Sequence, residues 1–352
     1  MAGQLITSWR PDPTHVADSL AEVTSLRFAK NDFEPVDMAA AAAIEREVFA
    51  PIPIGVDENG AVVSMNMPGD NGRHCLIIGA SGAGKTTCIH TILMAAAPRK
   101  HVAIVMVDPK ELDFAMWEQR AAMMALGEGG AIKAFAHVVA EVDYRKSIMR
   151  EYNRLAIAHG ATPVVTLPIG VPILGQTFPF LLVAIDEMDT LTDVDEDSAT
   201  AKRRRAQLAR MLRLIRALAG GILSGSQRPD YRVVPLKIRD LHRTRVVFGT
   251  ESKEQTGVGW GDGWAELEPY PPHRIEQIGE AFMRVDRKAT HLQGYLPTPQ
   301  QIATEAARYP RVMGPASWPH VIEDDEAGNE CPLCGHDPDL DTDTTPRRKA
   351  RR

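Results

Sequence analysis

The sequence predicts an α/β fold built on a mainly parallel sheet, and three observations carry that prediction. Five short runs, CLIIG (75–79), HVAIVMV (101–107), FPFLLVAI (178–185), GILSGS (221–226) and RVVFG (245–249), are continuously apolar rather than alternating. Runs of this kind belong to strands buried on both faces. Stretches rich in helix formers separate them, which is the order of β-α-β crossovers. Four of the strands end in residues suited to a site: Gly79, Asp108, Asp186 and Gln227. Ligands of open α/β sheets bind beyond the carboxyl ends of the strands, so four such ends predict one shared site.

The bulk numbers fit this class. A 352-residue chain with 44% hydrophobic and 24% charged residues has enough apolar material for a full core. Its net charge of −6 advertises no general affinity for polyanions, so any nucleic-acid surface must be local. No apolar run approaches the ~20 residues needed to cross a bilayer. The opening MAGQLITSWRPDPTHVADSL lacks the basic flank and apolar core of a signal peptide. Four cysteines are too few for a disulfide framework in a chain of this length. Cys75 and Cys88 are expected to stay reduced, in a cytoplasmic protein.

Along the chain, residues 1–35 read as a Pro-punctuated arm and 36–49 as a helix. PIPIGVDENGAVVSMNM (51–67) reads as a hairpin turning at Glu58, Asn59 and Gly60. Helical spacing returns over 128–150, and the Gly- and Pro-rich 159–177 reads as a loop. Order is expected to fade beyond about 315, where an acidic run, EDDEAGNE, precedes the basic end RRKARR.

The chemistry is concentrated in two motifs. GASGAGKT (79–86) matches the P-loop pattern G-x-x-x-x-G-K-S/T in full, after an apolar strand and before a helix. Its glycines let backbone N–H groups approach phosphate oxygens, and the helix adds its positive end. Gly79, Ala80, Ser81, Gly82, Ala83, Gly84, Lys85, Thr86 and Thr87 are therefore the candidate ATP-binding residues. Lys85 would reach the β/γ phosphates, and the Thr86 hydroxyl would ligate Mg²⁺. About a hundred residues on, FLLVAIDE (180–187) is the Walker B pattern. Asp186 would hold Mg²⁺, and Glu187 would act as the general base on the attacking water. LSGSQ (223–227) looks like the ABC-transporter signature, but it follows Walker B and lies on a strand, so that reading is rejected.

In order, GASGAGKTT (79–87), DPKELDF (108–114), VAIDEMDTL (183–191) and SQRPD (226–230) resemble the motor core of the FtsK/SpoIIIE family of double-stranded DNA translocases. EVDYRKSIM (141–149, with Glu141 and Arg145), RALAGGI (216–222) and PIPIGVDENG (51–60) are similar to family elements as well, so the resemblance spans roughly 50–265. It implies a RecA-like P-loop NTPase core and an ATP-hydrolysing translocase of duplex DNA. It further implies a homo-hexameric ring with ATP between subunits, and Gln227 as the polar sensor of the γ-phosphate. An arginine finger in trans would come from Arg239, Arg243 or Arg245. The chain departs from the family at TESKEQTG (250–257), where Ser-Arg is usual. The expected division is an N-terminal arm and helix (1–50), the motor domain (51–265), a C-terminal extension of the core (266–315) and a disordered tail (316–352). Neither a membrane anchor nor a winged-helix domain is apparent, which suits a mobile-element, plasmid-transfer or phage member.

Three features stay open at this level. The basic run 202–218, with Lys202, Arg203, Arg204, Arg205, Arg210, Arg213 and Arg216, is either a DNA- or subunit-facing surface or a solvated helix face. Arg228, Arg232, Lys237 and Arg239 in 228–240 are the better candidates for pore contacts. Cys331, Cys334 and His336 of CPLCGH form one zinc knuckle. A closed zinc site needs four ligands, so His320 or a second chain would have to complete it; otherwise the segment is a tail with free thiols. A protein-secretion ATPase of related type and a non-hydrolysing nucleotide- or DNA-binding assembly module are the alternatives to the translocase.

Overall fold

The structure, a computed structural model, describes residues 33–189, 199–227, 236–286 and 288–323. Its first helix, α1 (Met38–Val48), is capped by Asp37, whose side chain accepts from the N–H groups of Ala39 and Ala40. The expected hairpin follows as β1 (Ile52–Val56) and β2 (Val62–Met65). Next come β3 (Cys75–Ile78), α2 (Lys85–Ala96), β4 (Val102–Asp108), β5 (Met123–Leu126) and the long α3 (Gly127–Ala158). The expected loop over 159–177 carries a minimal hairpin of its own, β6 (Pro172–Ile173) and β7 (Gln176–Thr177). The core continues through β8 (Phe180–Ile185), α4 (Ala199–Leu214), β9 (Gly220–Ser226), α5 (Leu236–Arg239), β10 (Thr244–Phe248) and α6 (Lys253–Trp260). It closes with β11 (Glu280–Val285), β12 (Lys288–Gly294), α7 (Pro299–Arg308) and β13 (Val321–Ile322).

Eleven strands form one sheet, in the order β13-β5-β4-β8-β9-β3-β10-β11-β12-β1-β2. Pairing is parallel from β13 to β10 and antiparallel from β10 to β2. All five apolar runs named from the sequence are strands in the parallel part. They are buried on both faces because the period-two alternation of a strand feeds two cores. Cys75 and Ile77 of β3 join a core with α1, α2 and the second half of α3. Leu76 and Ile78 join another with the first half of α3, α4 and α6.

A buried ion pair ties these layers together. Arg145 of α3 is fully buried, bonds Glu141 at 2.8 Å, and donates to the carbonyls of Leu218 and Ala219 at 2.9 and 3.0 Å, just before β9. Glu141 and Arg145 thus brace the approach to the strand that ends at Gln227. Removing one partner strands a buried charge, which typically costs about 3–5 kcal/mol.

The chain's later part belongs to the same sheet. Within the stretch expected as a C-terminal extension of the core, β11 and β12 lie between β10 and β1 and close the hairpin onto the sheet, with Gly55 opposite Gly294. Order does not end at 315, where the tail was expected to begin. Val321 pairs with Met124, and the Met124 N–H donates to the His320 carbonyl at 2.8 Å. A two-residue strand depends on backbone pairing alone, so composition does not reveal it. No helix among the described residues is long and apolar enough to cross a membrane.

Candidate nucleotide site

Adjacent parallel strands β4, β8, β9 and β3 end on the same edge of the sheet, and the motif residues gather there. From β3 the chain turns at once: the Gly79 N–H donates to the Ser226 carbonyl and the Ala80 N–H to the Gly249 carbonyl at 2.8 Å. The loop then needs left-handed backbone at Gly82 (φ 76°) and Gly84 (φ 116°). A side chain at Gly84 would also meet Gly279 and Phe248 at 3.2 Å, so the P-loop leans on the loop before β11. Helix α2 starts at Lys85, which is 4% exposed, with its N-terminal end facing the cavity.

Beside it, the Thr86 hydroxyl donates to Asp186 Oδ1 at 3.2 Å. Asp186 and Glu187 are buried directly after β8. Burial raises the Asp186 carboxyl, with Asp113 next to it pushing the same way and Lys85 opposing both. Asp186 Oδ2 is buried without a hydrogen-bond donor among the described residues. A buried, partnerless carboxylate oxygen beside a hydroxyl and a second carboxylate is a donor set suited to a hard divalent cation, so Thr86 and Asp186 could hold Mg²⁺. The Gln227 N–H donates to Asp189 at 2.8 Å, which fixes the turn that brings its amide to the cavity.

The cavity encloses about 390 Å³ and is lined by the P-loop, Gln227 and a further wall that motif reading missed. Lys110 and Asp113 belong to the DPKELDF segment. Lys110 Nζ pairs with Glu187 Oε2, whose side chain is only 9% exposed. Asp108, fully buried at the end of β4, does not face the cavity. Its carboxylate instead accepts from the N–H groups of Lys110, Asp113 and Phe114 at 3.2, 2.9 and 3.0 Å, holding the segment in shape. The motif had flagged this segment without assigning roles. The opposite wall, Ile278, Gln293, Tyr295 and Leu296, comes from chain beyond 265. Ile278 and Leu296 are 73% and 81% exposed at the cavity mouth. Nothing in the local sequence there signals a site, because those residues act only through the antiparallel pairing that brings them alongside.

Close packing at the site yields a prediction. A Cβ at Gly225 of β9 would lie 2.0 Å from the Asp186 carbonyl oxygen. Gly225→Ala should therefore push the Asp186–Glu187 turn outward and destabilise the fold by about 2 kcal/mol, the usual scale of overpacking. The denaturation midpoint reads the stability loss, and nucleotide affinity should fall with it.

Other candidates separate. Arg245 is buried, and its guanidinium donates to the carbonyls of His242, Trp260 and Arg239 at 3.0, 2.8 and 3.3 Å. It is a structural brace, which withdraws it as a trans finger. Arg239 is paired with Asp240 at 3.1 Å. Arg243 bonds Asp286 at 2.9 Å yet keeps 54% of its side chain exposed, the most accessible of the three. In the basic helix, Leu208, Met211, Leu212 and Ile215 turn inward, and Arg210 pairs with Asp143 of α3 at 2.7 Å, so part of its charge serves helix packing. Cys75 and Cys88 are free and buried. His320 sits against the Glu118 carbonyl at 2.8 Å. Cys331, Cys334, His336, Arg228 and Arg232 lie outside the described residues.

With this geometry in place, comparison with known proteins is decisive. The FtsK/SpoIIIE family model matches residues 36–229, more than half of the chain. The chain belongs to the FtsK/SpoIIIE family. That family carries P-loop ATPase activity, with a nucleotide and usually Mg²⁺. Among curated relatives, the DNA translocase FtsK of Streptomyces avermitilis is 30% identical over 237 residues, 60% of this chain and 25% of its own length. FtsK of Listeria monocytogenes is 26% identical over 77% of this chain and 36% of its own. The DNA translocase SftA of Bacillus subtilis is 24% identical over 69% and 26%. The chain thus spans between a quarter and about a third of these relatives. Two solved structures share the fold: the pCW3 conjugation coupling protein TcpA with ATPγS (TM-score 0.55, 18% identity, 80% of this chain and 75% of that one), and the cytoplasmic domain of the type VII secretion ATPase EccC of Thermomonospora curvata (0.55, 18%, 84% and 35%).

Proposed function

We propose that this FtsK/SpoIIIE member is an ATP-driven translocase of double-stranded DNA, working as a homo-hexameric ring. The observation that carries it is the convergence of Lys85, Thr86, Asp186, Glu187 and Gln227 at one edge of the sheet, in a family whose curated relatives are named as DNA translocases. In this reading the P-loop N–H groups and Lys85 bind the ATP phosphates. Thr86 and Asp186 would hold Mg²⁺, which would supply charge neutralisation to the phosphates. Glu187 accepts a proton from the attacking water, giving ADP and phosphate. Gln227 senses the γ-phosphate, and Ile278, Tyr295 and Leu296 form the apolar end of the cavity for the base. An arginine from the neighbouring subunit, for which Arg243 retains the accessibility, stabilises the transition-state charge.

The test is ATP turnover by the purified protein with linear duplex DNA, with single-stranded DNA and with none, using Lys85→Ala as the blank. Strong stimulation by duplex DNA, abolished in Lys85→Ala, is expected. Turnover indifferent to DNA would favour a protein-moving motor, and nucleotide binding without turnover would favour an assembly module.

A further inference from the structure

The contact between Lys110 and Glu187 has a consequence for how hydrolysis is held off. We infer that Lys110 is an inhibitory cap on Glu187, a positioning residue that keeps the base unavailable until the Lys110 side chain moves away. This rests on reading Glu187 as the general base.

The geometry is specific. A general base must present a lone pair to the water it activates. Here the Glu187 carboxylate is nearly buried, and the Lys110 ammonium, itself 40% exposed, is on its Oε2. A cation so placed holds the carboxylate in an ion pair. It also occupies an oxygen that a water would use. Lys110 is not the phosphate lysine of the P-loop: that role falls to Lys85, on the other side of the same cavity.

The backbone of the segment is held at two feet. Asp108 ties the backbone of Lys110 at one foot, and of Asp113 and Phe114 at the other. Beyond the second foot, Trp117 donates to His90 of the P-loop helix at 3.0 Å, which pins the short helical turn Ala115–Trp117 to α2. The Lys110 side chain extends exposed from the first foot, and between the feet Glu111 and Leu112 are exposed. Leu112 is 77% exposed, and Glu111 holds a left-handed φ of 62°, a conformation costly for a non-glycine residue. With its backbone anchored, Lys110 can still swing its flexible, partly exposed side chain off Glu187 without disturbing the sheet.

The experiment compares DNA-free ATP turnover of the full chain with that of Lys110→Ala, Lys110→Arg and the double variant Lys110→Ala/Glu187→Gln. Lys110→Ala should raise DNA-free kcat roughly fivefold, the rate equivalent of breaking one partly exposed ion pair, with KM for ATP nearly unchanged. Lys110→Arg should restore the low rate. The double variant should fall to the level of Glu187→Gln alone, showing that the extra turnover runs through Glu187. A Lys110→Ala protein with lower kcat and higher KM would overturn the cap and make Lys110 a phosphate ligand. Unchanged kcat, or no DNA-free turnover in either protein, would also overturn it. Wild-type stimulation by duplex DNA, measured alongside, judges the translocase reading separately, because the cap is read from the ratio of two DNA-free rates.

Discussion

Glu187→Gln is expected to lower kcat by about 10²–10⁴-fold, the span that a positioned general base contributes, while ATP binding is kept. The substitution preserves shape and removes only the proton acceptor. Glu187 sits in the turn immediately after β8 and is not part of the P-loop that would grip the phosphates, so binding should barely change. Lys110 loses its ionic partner, but it is 40% exposed and water can replace the contact. Lys85→Ala should behave differently: that ammonium is buried at the start of α2, and its loss should weaken binding itself. Titration with a fluorescent ATP analogue alongside phosphate release separates the two. If Glu187→Gln turned over ATP within a few-fold of the parent, the base would have to be another group, and the cap by Lys110 would go with it.

Legible in the sequence was whatever is encoded locally. The P-loop needs left-handed glycines and a helix directly after them, and Gly82, Gly84 and α2 supply them in order. Asp186, Glu187 and Gln227 stand at the ends of apolar runs, and the parallel sheet brings those ends together. Within the antiparallel half β11 and β12 escaped, because they carry mixed residues. β12, KATHLQG, is half exposed along its length and has no continuous apolar run. Ile278, Tyr295 and Leu296 consequently gave no sign that they border the nucleotide cavity. The arginines misled for a related reason. The family resemblance offered Arg245 as a finger candidate, whereas three backbone carbonyls satisfy it inside the fold. The DPKELDF segment was visible as a family motif, but the division of labour within it, Asp108 as anchor and Lys110 as partner of Glu187, depends on side-chain contacts across the sheet edge.

Acid should destabilise this protein steeply between pH 6.5 and 5, because three histidines are buried in the neutral form. The His74 Nε2–H donates to the Leu212 carbonyl at 2.6 Å while its Nδ1 accepts from the Ile222 N–H at 3.2 Å. The His242 Nδ1–H donates to the Ile238 carbonyl at 2.9 Å, and its Nε2 faces the Ser224 hydroxyl. His90 Nδ1 accepts from Trp117. Burial lowers His74 and His90 to about 4 and His242 to about 3, with the His74 ring beside it adding to the last shift. Below pH 6.5 the unfolded chain binds these protons and the native state does not, so stability is present above that pH and is lost as pH falls toward the folded values. Asp186 works the other way: burial pushes it up to about 7, so in this window the native state holds a proton that the unfolded chain releases. Three histidine protons less one leave a net of two, or about 2.7 kcal/mol lost per pH unit. Because the unfolded histidines are only half protonated at pH 6.5, the loss from pH 6.5 to 5 is about 3 kcal/mol, a large share of the ~5–15 kcal/mol of an ordinary domain. Urea unfolding at pH 7.5, 6.5, 5.5 and 5 reads this slope. His242→Asn, which retains a donor toward the Ile238 carbonyl, should flatten it by about one proton. A stability independent of pH across this window would mean that the three rings are solvated in solution and that the packing behind the P-loop strand is looser than these contacts require.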